Sequence, residues 1–323
     1  MSSVKYVNIG VPQGSILGPV LFLIYSNDIN NHIHLASCNL FADDVLIYCT
    51  GVNFNEVEQT LQMSLDSVKE WYDKNLLVVN CDKSNTMLVA TKQRSLAYPD
   101  SELNIVIKDN TIIDVNCINY LGIKIDNNLC WSSQVDSLCK DLRSKIGLFS
   151  RLKQFLPYDS LLKLYYGIIQ PKLDYGITIW GYTCQNNIYK IQHMQNRFAR
   201  IILGNYDYVN VRGLELVHQL RWLNIIQRRD YFMSVLMFKS IHGLVPEYLC
   251  NEITMHIEVS NRLTRSINDN NVYVPIVNLE GTKRSFSYAG ALIWNGLPES
   301  LKVCHSIDIF KREARKHFYQ KFY

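Results

Sequence analysis

GVPQGSILGPVLFLIYSNDI at 10–29, followed by FADD at 41–44, is the stretch on which the reading of the whole chain turns. Gly10, Gly14 and Gly18 with Pro12 and Pro19 impose a bent backbone that exposes Gln13 and Ser15. Gly14, lacking a Cβ, permits close approach by a ligand. The segment has neither the Gly-Lys-Ser/Thr ending of a P-loop nor dinucleotide-fingerprint spacing. Pro19 to Asn30 then reads as a buried helix of about three turns. At 38–50, two short apolar runs flank Asp43 and Asp44, which is a hairpin signal. Adjacent carboxylates repel, and in a partly buried site they need a cation or raised pKa values. Hard oxygen donors of this kind suit Mg²⁺. The plain alternatives are that Asp favours turns for its own sake and that Gln13 is a loop amide capping a backbone group.

Working outward, residues 54–75 show a helical period through Val57, Leu61, Leu65, Val68 and Trp71. Strand-like pieces follow at Met87–Thr91, Leu103–Ile107, Thr111–Val115 and Tyr120–Asp126. Helices separated by such strands predict an α+β fold. After Trp131 the pattern becomes helical, over 133–155, 159–180, 187–203, 222–243 and 306–322. The helix at 133–155 sets Val135, Leu138, Leu142, Ile146 and Phe149 on one face, and Lys140, Arg143, Gly147 and Arg151 on another. Residues 251–285 are polar and read as loops with short strands. The expected domains are 1–130, 131–205 and 206–323, with no Gly/Ser linker between them.

The 323 residues are 48% hydrophobic and 19% charged, enough for about two domains and incompatible with a disordered tail or a mini-protein. The formal charge of +4 neither requires nor excludes a nucleic-acid partner. Nine scattered cysteines, none in a CxxC, argue for reduced thiols rather than disulfides or zinc. The opening MSSVKYVNIG has no apolar core of a signal peptide, and the run around Val20–Tyr25 is too short to span a bilayer. The expectation is an intracellular protein, in nucleus and cytoplasm, that is not secreted.

Taken together, GVPQGSILGPVLFLIYSNDI and FADD resemble the reverse transcriptase palm of non-LTR (LINE-like) retrotransposons. The resemblance continues in order. WYDKNLLVVNCDKS at 71–84 is similar to the next palm motif, with Lys83-Ser84 where the family has Lys-Thr. YLGIKIDNNLCW at 120–131 is similar to the primer-grip motif, and the helix after it sits where the family has its thumb. YGIIQPKLDYGITIWG, IQHMQNRFARIILG, LMFKSIHGLVPEYL and WNGLPESL resemble the post-thumb region of Jockey-type elements. The expected architecture is a partial palm, an antiparallel sheet with helices, then a helical thumb and a helical C-terminal region.

The resemblance implies nucleotidyl transfer, in which a primer 3′-hydroxyl attacks a dNTP and two metal ions stabilise the attacking and leaving oxygens. It implies Asp43 as direct Mg²⁺ ligand and Asp44 as the less direct one. Phe41 and Ala42 would lie beside the primer end. Gln13 would reach the template–nucleotide pair, with Gly14 and Ser15 shaping the pocket. Lys83 would meet the leaving pyrophosphate. Tyr120, Leu121 and Gly122 would form the primer grip, and Lys140, Arg143 and Arg151 would track phosphates of an RNA template and DNA primer. The bland counterparts are an exposed lysine, a tight turn with a core leucine, and a solvated helix face. Further basic clusters at Arg197/Arg200, Arg228/Arg229, Lys283/Arg284 and Lys311–Lys316 are not assigned a site.

The family's third palm carboxylate comes from a motif well upstream of the Val-Pro-Gln-Gly loop. Only nine residues precede Gly10 here, and none is acidic. The expectation is an incomplete two-metal site and little or no polymerase activity from this chain alone. Two other readings stay open: a non-catalytic nucleic-acid-binding remnant, and a truncated copy without function. The sequence is silent on oligomeric state.

Overall fold

Asp28 and Trp71 hold the first part of the chain together. The indole Nε1–H donates to the Asp28 carboxylate at 3.1 Å across 43 residues. The computed structural model describes residues 14–97, 102–259 and 270–321. They fall into two units, Met1–Ile118 and Asn119–Tyr323.

In the first unit, α1 (Gly18–Ser26) leads through a 3₁₀ turn at Ile29–His32 to strands β1 (Ser37–Phe41) and β2 (Asp44–Tyr48). These pair antiparallel from Ser37 opposite Tyr48 to Phe41 opposite Asp44. That register leaves Ala42 and Asp43 as a two-residue turn, with Ala42 at a φ of 52°. Helix α2 (Phe54–Lys74) starts on Asn53, whose side chain accepts from the Glu56 N–H, while the Glu56 carboxylate accepts from the Val52 N–H. Val68 and Trp71 on α2 join Ile29 and Ile33 in one apolar cluster under the hairpin. Phe54, Leu61 and Leu65 pack against a second, made by Leu103, Ile105, Ile107 and Ile112. Short pieces complete the unit: β3 (Asn85–Thr86), α3 (Lys92–Ala97), β4 (Val106–Ile107), β5 (Asn110–Thr111) and β6 (Ile113–Asp114).

Three expectations need correction here. Helix α1 is shorter than the pattern suggested, and it is not buried. Gly18 is its only buried residue among those described, and Ile24 is 70% exposed. A helix that is apolar all round needs neighbours all round. Among the described residues, most of the apolar side chains of α1 stand uncovered. The strand expected at Met87–Thr91 is not formed; the chain pairs just before it, at Asn85–Thr86, where the ladder with β6 is two residues long. The strands also form separate two-stranded pairs, one of them (β3–β6) parallel, rather than one antiparallel sheet. The α+β class itself holds.

The second unit opens on the hairpin β7 (Cys117–Tyr120) and β8 (Ile123–Asp126). Both carboxylate oxygens of buried Asp126 then accept backbone N–H groups, from Cys130 at 2.7 Å and Trp131 at 2.6 Å. They fold the Asn127–Trp131 loop into the start of α4 (Ser132–Leu152). Helix α5 (Tyr158–Leu164) passes through a π-helical turn at Tyr165–Ile169 into α6 (Gln170–Asp174). Pro171 has no N–H to return to the preceding turn, and the wider turn accommodates that loss. Next come α7 (Ile177–Trp180), α8 (Gln185–Leu203), α9 (Gly213–Gln219) and α10 (Ile225–Ile241). Asn224 and Gln227 form a capping box at the start of α10. The chain closes with α11 (Glu247–Cys250), α12 (His256–Val259), α13 (Ala291–Asn295), α14 (Glu299–Lys302) and α15 (Ile307–Gln320).

Helices α4 and α8 run side by side in the same direction. Asn187 contacts Ser132 at their N-terminal ends, Phe149 meets Phe198 edge-on, and Lys153 reaches the Ile202 carbonyl at their C-terminal ends. Their shared core includes Val135, Leu142, Ile191 and Trp222, with Trp222 stacked on Tyr165 at 3.7 Å. A second core gathers Phe238, Trp294, Phe310 and Phe318 between α10, α13 and α15.

Candidate functional site

The turn Ala42-Asp43 stands at the rim of a cavity of about 180 Å³ in the first unit. Phe22 and Ser26 of α1, Leu40 and Val45 of the hairpin, Trp71 and Tyr72 of α2, and Leu77 and Val78 beyond it complete the wall. Ile29 lines it too, and the wall is mostly apolar, with Ser26 and Tyr72 as polar side chains and Asp43 as its one carboxylate. Burial pushes the Tyr72 phenol up from its ordinary pKa, with a smaller push from Cys38. Asp44 opens β2 and is exposed, with Phe41 opposite it also exposed.

The structure therefore brings Ala42 and Asp43 together with the elements of the Gly/Pro-rich and Trp-bearing motifs. Gln13 lies outside the described residues. Gly14 is exposed with a φ of 81°. Ser15 has a local job: its Oγ accepts the Gly18 N–H at 3.1 Å, at the start of α1. Lys83 ends a 3₁₀ turn at Cys81–Lys83, is exposed, and does not line the cavity. Two contacts that sequence reading missed tie its motifs together in space. Asp28 in YSNDI holds Trp71 in WYDKN, and the Tyr25 hydroxyl donates to the Asn75 carbonyl of the same two segments. The only sequence signal for either was that both segments carried polar groups beside apolar runs.

In the second unit, Leu121 (φ 49°) and Gly122 (φ 78°) form the turn between β7 and β8. Tyr175 buttresses that turn, its hydroxyl donating to the Leu121 carbonyl at 2.5 Å. Gly176 follows with a φ of 63°, and a Cβ there would sit 2.4 Å from Ile123 Cδ1. The YLG and DYG motifs are thus two halves of one packing contact. On α4, Lys140, Arg143 and Arg151 are exposed on the face opposite the core. Among the described residues none of the three takes part in an ion pair within 4 Å. Their neighbour Asp141 is occupied by Lys172 and Lys145, and a hydrogen bond from Lys172 holds its carboxyl below the usual range.

Two of the other basic clusters turn inward, whereas Lys283 is half-buried and Arg312 and Lys316 stay exposed. Arg200 is buried and donates to the carbonyls of Asp207 and Val211. Arg228 grips Asp174 through Nε and Nη2, and Arg229 pairs with Asp230. Among the described residues, no group of three or more His, Cys, Asp or Glu side chains comes together as a metal site. No helix among them is long and apolar enough to cross a membrane.

Residues 2–125 match the family model of reverse transcriptase (RNA-dependent DNA polymerase). The chain is 32% identical over 213 residues to a probable RNA-directed DNA polymerase from transposon X-element of Drosophila melanogaster, covering 63% of this chain and 23% of that protein. It is 28% identical over 224 residues to the RNA-directed DNA polymerase from mobile element jockey of Drosophila funebris, covering 66% and 24%. A probable RNA-directed DNA polymerase from transposon BS of Drosophila melanogaster is 28% identical over 226 residues, covering 67% and 24%. The match thus spans about a quarter of the length of these curated relatives. No solved structure matches significantly. The similarity to the reverse transcriptase family model thus covers residues 2–125, and the homologues are RNA-directed DNA polymerases of non-LTR retrotransposons.

Reverse transcriptases as a family act on a nucleic-acid template with dNTPs and generally use divalent metal ions.

Proposed function

We propose that this chain is the palm and thumb part of an RNA-directed DNA polymerase, acting on an RNA template and a DNA primer. The observation that carries the reading is the two-residue turn that sets Asp43 on the rim of an apolar-walled cavity. A strand-end carboxylate at such a rim is where a phosphate-bound cation can be held, since Mg²⁺ takes one or two protein carboxylates and completes its shell with water and phosphate oxygens. Asp43 and Asp44 fit one such ion. They do not by themselves fit two, because no third acidic, His or Cys side chain joins them among the described residues. A bound ion would neutralise phosphate charge. The chain's own residues would do the rest: Ala42 leaves space at the turn, Phe41 offers an exposed ring for a primer-end base, and Lys140, Arg143 and Arg151 neutralise strand phosphates. The proposed place of action is the cell interior.

A second reading, a nucleic-acid binder without catalysis, draws support from the same shortage of ligands. Two measurements on the full chain test these readings. Three phosphate contacts on α4 give a slope of log K against log salt of about −2 to −3. Changing Lys140, Arg143 and Arg151 to Gln should remove that share, and an unchanged slope would refute the thumb assignment. Primer extension on RNA with Mg²⁺ should be weak or nil. Extension that disappears in Asp43→Asn would overturn the incomplete-site reading in favour of a working polymerase.

A further inference from the structure

The segment 205–211, Asn-Tyr-Asp-Tyr-Val-Asn-Val, joins α8 to α9 and has no part in the site described above. It carries three exposed apolar side chains on a backbone tied down from beneath. Tyr206 is 56% exposed, Tyr208 65%, and Val209 is exposed as well. Buried Arg200 donates to the carbonyls of Asp207 and Val211 and lies 4.3 Å from the centre of the Tyr208 ring. The Asp207 carboxylate accepts the N–H groups of Val209 and Asn210 and the Asn210 side-chain amide. These bonds hold its carboxyl below the ordinary range, with Arg200 adding to the effect.

Because α4 and α8 are parallel, this loop stands at the same end of the pair as the C-terminus of α4. Lys153 crosses there to the Ile202 carbonyl, its Cε about where a Cβ on Gly204 would touch it, at 3.9 Å. Phe155, 79% exposed, follows two residues later. Helix C-termini ordinarily repel phosphate, since their free carbonyls carry partial negative charge. Here Lys153 covers the Ile202 carbonyl at the end of α8, and Arg200 covers the loop carbonyls of Asp207 and Val211. The cationic face of α4, with open space at Gly147 between Arg143 and Arg151, thus runs toward the end of the helix pair that carries the exposed rings of Phe155, Tyr206 and Tyr208.

We infer that the 205–211 loop is a stacking platform for single-stranded nucleic acid leaving the cationic track of α4. Cations along a backbone path combined with rigid exposed aromatics is the physical recipe for binding unpaired bases, because every base has a π-face and a duplex has its faces covered. Arg200 beneath Tyr208 stiffens the platform, so little freedom is lost when a base stacks. The inference rests on the nucleic-acid reading proposed above, and goes beyond it in assigning Tyr206 and Tyr208 and a preference for unpaired strands.

The test is fluorescence anisotropy on the full chain with labelled oligo(U), oligo(dT) and a hairpin duplex, each of about 15 nucleotides. The Tyr206→Ala/Tyr208→Ala variant should bind both single strands at least about 5-fold more weakly, from the energy of losing one stacked base. Duplex binding should hold within about 2-fold, and Tyr206→Phe/Tyr208→Phe should restore the single-strand affinity. The urea midpoint of each variant checks the fold, and a loss confined to single strands cannot come from unfolding. Unchanged single-strand affinity in the Ala variant would overturn the platform. So would an equal loss for duplex and single strand. If the α4 substitutions still weaken binding in that case, the proposed function survives without the platform. If neither set matters, both fall.

Discussion

Replacing Asp174 by Leu should destabilise the second unit by about 3 kcal/mol, the lower part of the range for breaking a buried ion pair. The reason lies in what is left behind. Arg228 keeps only 4% of its side chain exposed, and Asp174 keeps 19%. The guanidinium meets the carboxylate in a two-pronged contact, Nε to Oδ1 at 2.7 Å and Nη2 to Oδ2 at 2.6 Å. Without Asp174, a buried cation faces no carboxylate, and water gains access only through the small exposed edge. Burial pushes the Asp174 carboxyl up from its ordinary pKa more than Arg228 pulls it down. Desolvation is thus the largest influence on that carboxyl. It follows that Asp174→Leu with Arg228→Met should recover most of the loss, since neither charge then needs solvation. Urea unfolding followed by far-UV circular dichroism measures both. At about 1–3 kcal/mol per molar, the single variant should shift the midpoint down by about 1–3 M. A single-variant loss below about 1 kcal/mol, or a double variant no better than the single, would refute the reasoning. The pH dependence carries a second check. A carboxyl raised in the folded state contributes stability that is present below its unfolded value and is lost as pH rises through the folded one, so the double variant should lack that decline.

Two further outcomes follow from particular contacts. Gly176→Ala should lower the urea midpoint by the equivalent of about 2–4 kcal/mol, combining left-handed strain with a Cβ driven into Ile123, and a neutral result would mean the YLG–DYG contact can give way. Burial lowers the pKa of His317, with Lys321 adding to the effect, so the folded state resists protonating it. The stability this contributes is present above the ordinary value near 6.5 and is lost as pH falls below it; His317→Gln should flatten the drop in melting temperature between pH 7.5 and 5.5, and an unchanged drop would remove His317 from the account.

Much of the fold was legible in side-chain period. The faces of α2, α4, α8 and α15 follow from apolar residues every three or four positions, because a helix repeats every 3.6 residues whatever surrounds it. The hairpin around Asp43 was legible for a similar reason: two apolar runs flanking an acidic pair permit little else. Strands 85–86 and 106–114 were less legible, since a ladder ends where its partner ends and the partner is remote in sequence. The burial of α1 was misread because composition reports what a helix could bury, not what stands next to it. Sequence also does not announce where a side chain ends up: Ser15 accepts the Gly18 N–H at the start of α1, and Lys83 is exposed and off the cavity wall.

Sequence by itself carried the resemblance to reverse transcriptases, through motifs that stand in that family's order and match it over residues 2–125. It also determined which face of α4 is cationic. Only tertiary structure decided which cations are available. Arg200 and Arg228 look, as letters, no different from Arg143 and Arg151. Their helices turn the first two inward, onto carbonyls and a carboxylate, and the last two outward. A charge taken out of water must find a partner at a distance only folding can set, whereas a charge left in water remains free to meet a phosphate.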